Sequence, residues 1–150
     1  MNWKAPEVSE SHYTPKPTAD VWSLGMVLYE LLCRRNPYAE LDDEVKIMRK
    51  VVFDVDKLPD LAKVEAGAPG ALVGLMRDCC ATKPEDRPTA EDVSRRLQGI
   101  RGAEQAGAPR SDKHHRELVE MLGALAETFV GAVDGAAERT VIAVQNLHRG

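Results

Sequence analysis

The chain is poor in aromatics and cysteine, and it has no long apolar run. Of 150 residues, 43% are hydrophobic but only 5% are aromatic. Any core must therefore be built mainly from aliphatic side chains. The cysteines are Cys33, Cys79 and Cys80. An odd count with two adjacent members does not fit a disulfide framework. No C-x-x-C pair or His/Cys cluster offers a zinc site, and His12, His114, His115 and His148 have no carboxylate or thiol at metal-binding spacing. The cysteines read as reduced, buried thiols.

An excess of positive charge is also missing. The formal net charge is -4 and the pI about 5.6. Such a chain has no global electrostatic reason to bind nucleic acid or an anionic membrane. The N-terminus, MNWKAPEVSE, lacks the apolar segment of a signal peptide. The longest apolar run, Val21 to Cys33, is broken by Ser23, Gly25 and Glu30 and is too short to span a bilayer. These absences point to a cytoplasmic or nuclear protein whose partners are neither nucleic acid nor membrane.

Strand signals are absent as well: there is no convincing alternating run and no hairpin turn. The expected fold class is all-α. Pro15 and Pro17 favour extended chain, and Thr18 is the expected N-cap of a helix reaching Cys33. That helix, ADVWSLGMVLYELLC, is apolar nearly all round, so it should be the buried central post. Asp42, Asp43 and Glu44 open a second helix, whose face is Val45, Met48 and Val52 with Ile47 and Val51 beside it. Residues 53–68 read as loop, and Pro69 suits the first position of a third helix. Leu72, Leu75, Met76 and Cys79 recur along it at helical spacing. Thr89 with Asp92 caps a fourth helix, expected to end near Ile100. Residues 101–110 are small and Gly-containing, and read as a linker. Residues 111–150 form a helical tail. Within it Leu118, Leu122, Leu125 and Phe129, spaced four, three, four, make a coiled-coil-like seam.

Four short motifs, in order, resemble the protein kinases. Ala5-Pro6-Glu7 resembles the motif that closes the kinase activation segment. Asp20, Trp22, Ser23 and Gly25 resemble the signature of the kinase central helix. Asn36-Pro37-Tyr38 resembles the turn after it, and Cys80, Pro84, Arg87 and Pro88 resemble the late Cys, Pro and Arg-Pro pattern. The resemblance covers residues 1–100 and is closest in flavour to tyrosine-kinase-like Ser/Thr kinases. It implies the lower half of the kinase C-terminal lobe, followed by the linker and tail.

The kinase parts that hold nucleotide are not found. The sequence contains no G-x-G-x-x-G, no V-A-I-K lysine motif, no H-R-D and no D-F-G. Those elements place the phosphates, the metal ions and the catalytic aspartate. Phosphoryl transfer depends on positioning and electrostatics, so the chain alone is expected to be inactive, with no catalytic, cofactor or metal residues of its own. The match opens inside a motif rather than at a domain edge, which points to a longer parent using ATP and Mg.

The resemblance also implies residue roles. Glu7 and Arg87 would form a structural ion pair, suited to a planar guanidinium fork. Asp20 would brace a catalytic loop not found here, leaving it an orphaned acceptor or a simple first-turn carboxylate. Trp3, Lys4 and Glu30 would lie at a substrate-docking edge, although Glu30 in an apolar helix could instead be satisfied internally. Trp22 and Tyr29 read as core.

Two functional classes follow. In one, the chain is part of an enzyme that transfers the ATP γ-phosphate to Ser/Thr, or Tyr, of a protein substrate. In the other, it is a non-catalytic module that binds a protein partner or forms a homodimer through the tail seam. The seam could alternatively fold back onto the central helix. An unrelated helical domain would not account for the motif order.

Overall fold

The computed structural model describes residues 2–54, 58–64 and 68–106, and residues 113, 117, 118, 120–122 and 124 of the tail. The described residues contain no strand. Among the described residues up to 106, four α-helices carry the fold: α1 (Pro17–Cys33), α2 (Glu44–Phe53), α3 (Gly70–Cys79) and α4 (Ala90–Gln105). Single 3₁₀ turns lie at Pro6–Ser9, Leu61–Lys63 and Pro84–Asp86.

Helix α1 is the central post. From Val21 to Tyr29 every residue is buried, including Trp22, Met26, Leu28 and Tyr29 at 1% exposure or less. Its start differs from the expectation. Lys16 is the N-cap and Pro17 occupies the first turn, where its missing N–H costs nothing. Thr18 therefore lies inside the helix, and its hydroxyl is buried without a partner among the described residues. The helix ends where Arg34 turns into the left-handed region at φ 51° and its N–H reaches the Glu30 carbonyl.

Two apolar clusters flank α1. The larger joins Leu24, Leu28 and Leu32 to Leu72, Leu75 and Met76 of α3 and to Val93 and Leu97 of α4. Leu118 and Leu122 of the tail belong to it, at 1% and 0% exposure. The smaller cluster gathers Ala5, Trp22, Met26, Tyr38, Ile47, Val51 and Cys80. Gly25 permits the closest approach of α1 to α3, because a Cβ there would overlap Cys80 Sγ and lie 2.9 Å from Cys79 Cβ.

The other helices begin and end for local reasons. The Asp43 carboxylate accepts from Val45 N–H at 2.8 Å and caps α2. Helix α2 buries Ile47 and Val51, while Val45 is 63% and Met48 37% exposed. The inward stripe is thus the one beside the expected face. Both stripes are apolar, and the buried one joins the cluster of Ala5, Met26 and Tyr38 beside the Pro6–Ser9 turn. Pro69 immediately precedes α3, and its carbonyl accepts from Leu72 and Val73 N–H. Thr89 and Asp92 form a reciprocal cap on α4, with contacts of 3.2 and 3.4 Å. Helix α4 then runs to Gln105, five residues past the expected end at Ile100 and into the segment read as linker. Small residues there supply no periodic signal, yet neither do they break a helix already nucleated. Leu125 and Phe129 of the seam lie outside the described residues.

Candidate functional site

The polar architecture centres on Arg87. It sits in the loop after the Pro84–Asp86 turn, held by that turn's closing bond from Arg87 N–H to the Pro84 carbonyl. Its side chain is fully buried. Two guanidinium nitrogens donate to the two Glu7 carboxylate oxygens at 2.6 and 3.0 Å. One of them also donates to the Thr18 carbonyl at 2.8 Å, and Nε donates to the Ala81 carbonyl at 2.9 Å. The guanidinium lies 5.0 Å from the centroid of the Trp22 ring, a cation–π arrangement. One side chain thus joins the Pro6–Ser9 turn, the start of α1 and the loop after α3. A buried cation with this many donors engaged has its desolvation offset by charge-assisted bonds.

A second set of contacts fixes the chain before Glu7. The Trp3 indole N–H donates to Glu30 Oε2 at 3.0 Å. Ser23 Oγ lies 2.8 Å from the Trp3 carbonyl and 3.1 Å from the Ala19 carbonyl, so its hydroxyl links α1 to the N-terminal turn. Asn2 donates to the Pro37 carbonyl at 2.9 Å. The structure therefore brings Trp3 and Glu30 together and engages the glutamate internally. Lys4 is separate and exposed, beside Ile47 and Met48 of α2.

Asp20 lies in the first turn of α1, partly buried. Burial pushes its carboxyl up to about 6. Cys33, Cys79 and Cys80 are all buried free thiols. Burial pushes Cys79 up to about 12 and Cys80 well above the ordinary thiol range, so both are poor nucleophiles.

Among the described residues no group of three His, Cys, Asp or Glu side chains could hold a metal ion. Asp20 and Glu7 stand on separate elements, and Glu7 is committed to Arg87. Asp20 and Glu7 therefore do not make a ligand pair for a nucleotide's magnesium. Among the described residues no helix is long and apolar enough to cross a membrane.

Sequence reasoning missed how many partners Arg87 holds, since carbonyl acceptors carry no residue-type signal. It also missed the Ser23 bridge to Trp3. A serine amid an apolar helix was the available hint, because a buried hydroxyl needs an acceptor.

The model of the protein kinase domain matches residues 1–96. The chain is 30% identical over 111 residues to the receptor-type guanylate cyclase Gyc76C of Drosophila melanogaster, covering 67% of this chain and 7% of that protein. It is 34% identical over 99 residues to the probable serine/threonine-protein kinase drkA of Dictyostelium discoideum, covering 65% and 14%. It is 30% identical over 102 residues to the Raf homolog serine/threonine-protein kinase of Caenorhabditis elegans, covering 65% and 12%. The chain thus spans between 7% and 14% of the length of these relatives. With the matched residues, the helical fold and the Ser/Thr kinases among its relatives all in agreement, the chain belongs to the protein kinase domain family, of which it carries a part with tyrosine-kinase-like flavour.

Proposed function

We propose that this chain is the organising base of a Ser/Thr protein kinase domain and has no catalytic activity alone. The observation that carries this reading is the buried Arg87–Glu7 pair, which ties the end of the would-be activation segment to the loop before α4. The contacts of Arg87 and Glu7 are spent on holding a segment in place. In a full-length parent, ATP and Mg would supply the phosphoryl group and its charge neutralisation, and a protein hydroxyl would receive it. Asp20 would then accept hydrogen bonds from the backbone of the catalytic loop. Its partly buried carboxylate, raised by burial, suits an acceptor awaiting donors. The Trp3–Glu30 contact would set the floor beneath the substrate, with Lys4 outside it.

A chimera tests this. The upstream part of a Ser/Thr kinase relative, through its D-F-G motif and the activation segment that follows, would be joined ahead of Trp3. The expected result is ATP-dependent transfer to Ser/Thr, lost in the same chimera with Arg87→Ala. A folded chimera that binds ATP yet transfers nothing would reject the kinase-parent reading.

A second reading, a non-catalytic interaction module, is favoured by two observations. Leu118 and Leu122 of the tail share the core of the kinase-like part. Two relatives are named receptor-type guanylate cyclases rather than kinases. On this reading the tail and base form one binding unit, and the chimera would fold without gaining activity.

A further inference from the structure

Among the described residues four large apolar side chains stand exposed: Val45, Met48 and Phe53 on α2, and Met121 on the tail. Their surroundings carry opposite charge. On α2, Val45, Met48, Arg49 and Val52 are spaced i, i+3, i+4, i+7 and share one face, with Phe53 adjoining at 79% exposure. Arg49 sits within that strip, Lys46 lies alongside, and Lys4 stands across a small cleft lined by Met48 and Val52. The acids of this region lie at the two ends of the helix, Asp42, Asp43 and Glu44 at its start and Asp54 at its C-cap, and Asp42 pairs with Lys46 on the exposed surface.

The tail presents the complement. Glu117, Glu120, Met121 and Ala124 are exposed and share one helical face, opposite the buried Leu118 and Leu122. Glu117 reaches Lys113 at 3.5 Å, but both are exposed, and such surface pairs are readily exchanged. Met121 remains exposed, so α2 of the same chain does not cover it.

We propose that the outward tail face of one copy docks on the α2 face of a second copy. Met121 packs among Val45, Met48 and Phe53, and Glu117 and Glu120 face Arg49 and Lys46. The contact joins two different surfaces, so it is heterologous. It is distinct from pairing through the Leu118–Phe129 seam, because Leu118 and Leu122 are consumed within their own chain.

The test uses the 150-residue chain and light scattering across concentration at low and high salt. The wild type should self-associate, more weakly at high salt. Two charge-reversed variants are needed: Lys46→Glu with Arg49→Glu, and Glu117→Lys with Glu120→Lys. Each alone should associate about tenfold more weakly or worse, because both of its faces then carry the same sign. An equimolar mixture of the two should regain association, since each face again meets its opposite. Phe53→Ser, at a site too exposed to disturb the fold, should also weaken association. Circular dichroism melts confirm that every variant is folded. A monomeric wild type at all concentrations would overturn the proposal, as would a mixture that fails to regain association. Association indifferent to the α2 changes would overturn it too, and would return pairing to the tail seam.

Discussion

Arg87 and Glu7 stand 80 positions apart in sequence and meet through two contacts of 2.6 and 3.0 Å. The arginine side chain is fully buried and the glutamate side chain 15% exposed. Removing the arginine leaves a largely buried carboxylate without its cation, together with two carbonyls without their donor. Arg87→Ala should therefore destabilise the fold by about 3 kcal/mol or more. Arg87→Lys should recover only part of this, because an ammonium cannot grip both oxygens as a fork. Urea unfolding of the two variants checks the order, and equal midpoints for wild type and Arg87→Ala would reject the tie.

Gly25 gives a packing prediction. A methyl group there collides with Cys80 Sγ and sits 3.3 Å from the Met76 carbonyl. Gly25→Ala should cost about 1–3 kcal/mol through overpacking. Shortening the neighbour in the double variant Gly25→Ala, Cys80→Ala should return part of that loss. Thermal melts of the single and double variants measure the coupling.

How much of this was legible beforehand depends on the kind of signal. The nearly complete apolar circumference of α1 marks it as the post, and Trp22, Leu28 and Leu32 are all buried there. The Thr89–Asp92 cap was legible because both partners are local. The start of α1 was misplaced because Pro17 and Thr18 are each acceptable near a helix start. Which stripe of α2 turns inward could not be read, since the cluster it joins is assembled from residues elsewhere in the chain, among them Ala5, Met26 and Tyr38. The acceptors of Arg87 at Thr18 and Ala81 are backbone carbonyls, which every residue possesses.

Asp20 sets a pH dependence. Its carboxyl is raised from 3.8 to about 6 by burial, so the folded state holds its proton more tightly than the unfolded chain. Its contribution to stability is full below about pH 4 and is lost as pH rises through about 6. Asp20→Asn should therefore melt above the wild type at pH 7.5 and match it near pH 4. A variant that melts lower at pH 7.5 would mean the ionised carboxylate is held by a donor.

The tail is expected to matter for stability. Leu118 and Leu122 are buried in the main cluster, so Leu118→Ala or Leu122→Ala should each cost about 2–5 kcal/mol. Deleting residues 107–150 should expose the same apolar surface and sharply reduce solubility. Unchanged melting and solubility would show that the tail does not pack there.

The central claim is that this chain organises a kinase base and does not itself handle nucleotide. The most direct measurement adds ATP and Mg²⁺ to the purified chain and follows both its melting temperature and phosphate transfer to a Ser/Thr protein substrate. A ligand that binds only the folded state must raise the melting temperature with concentration. The account predicts no shift and no transfer. A magnesium-dependent shift that grows with ATP, accompanied by phosphate on the substrate, would contradict it.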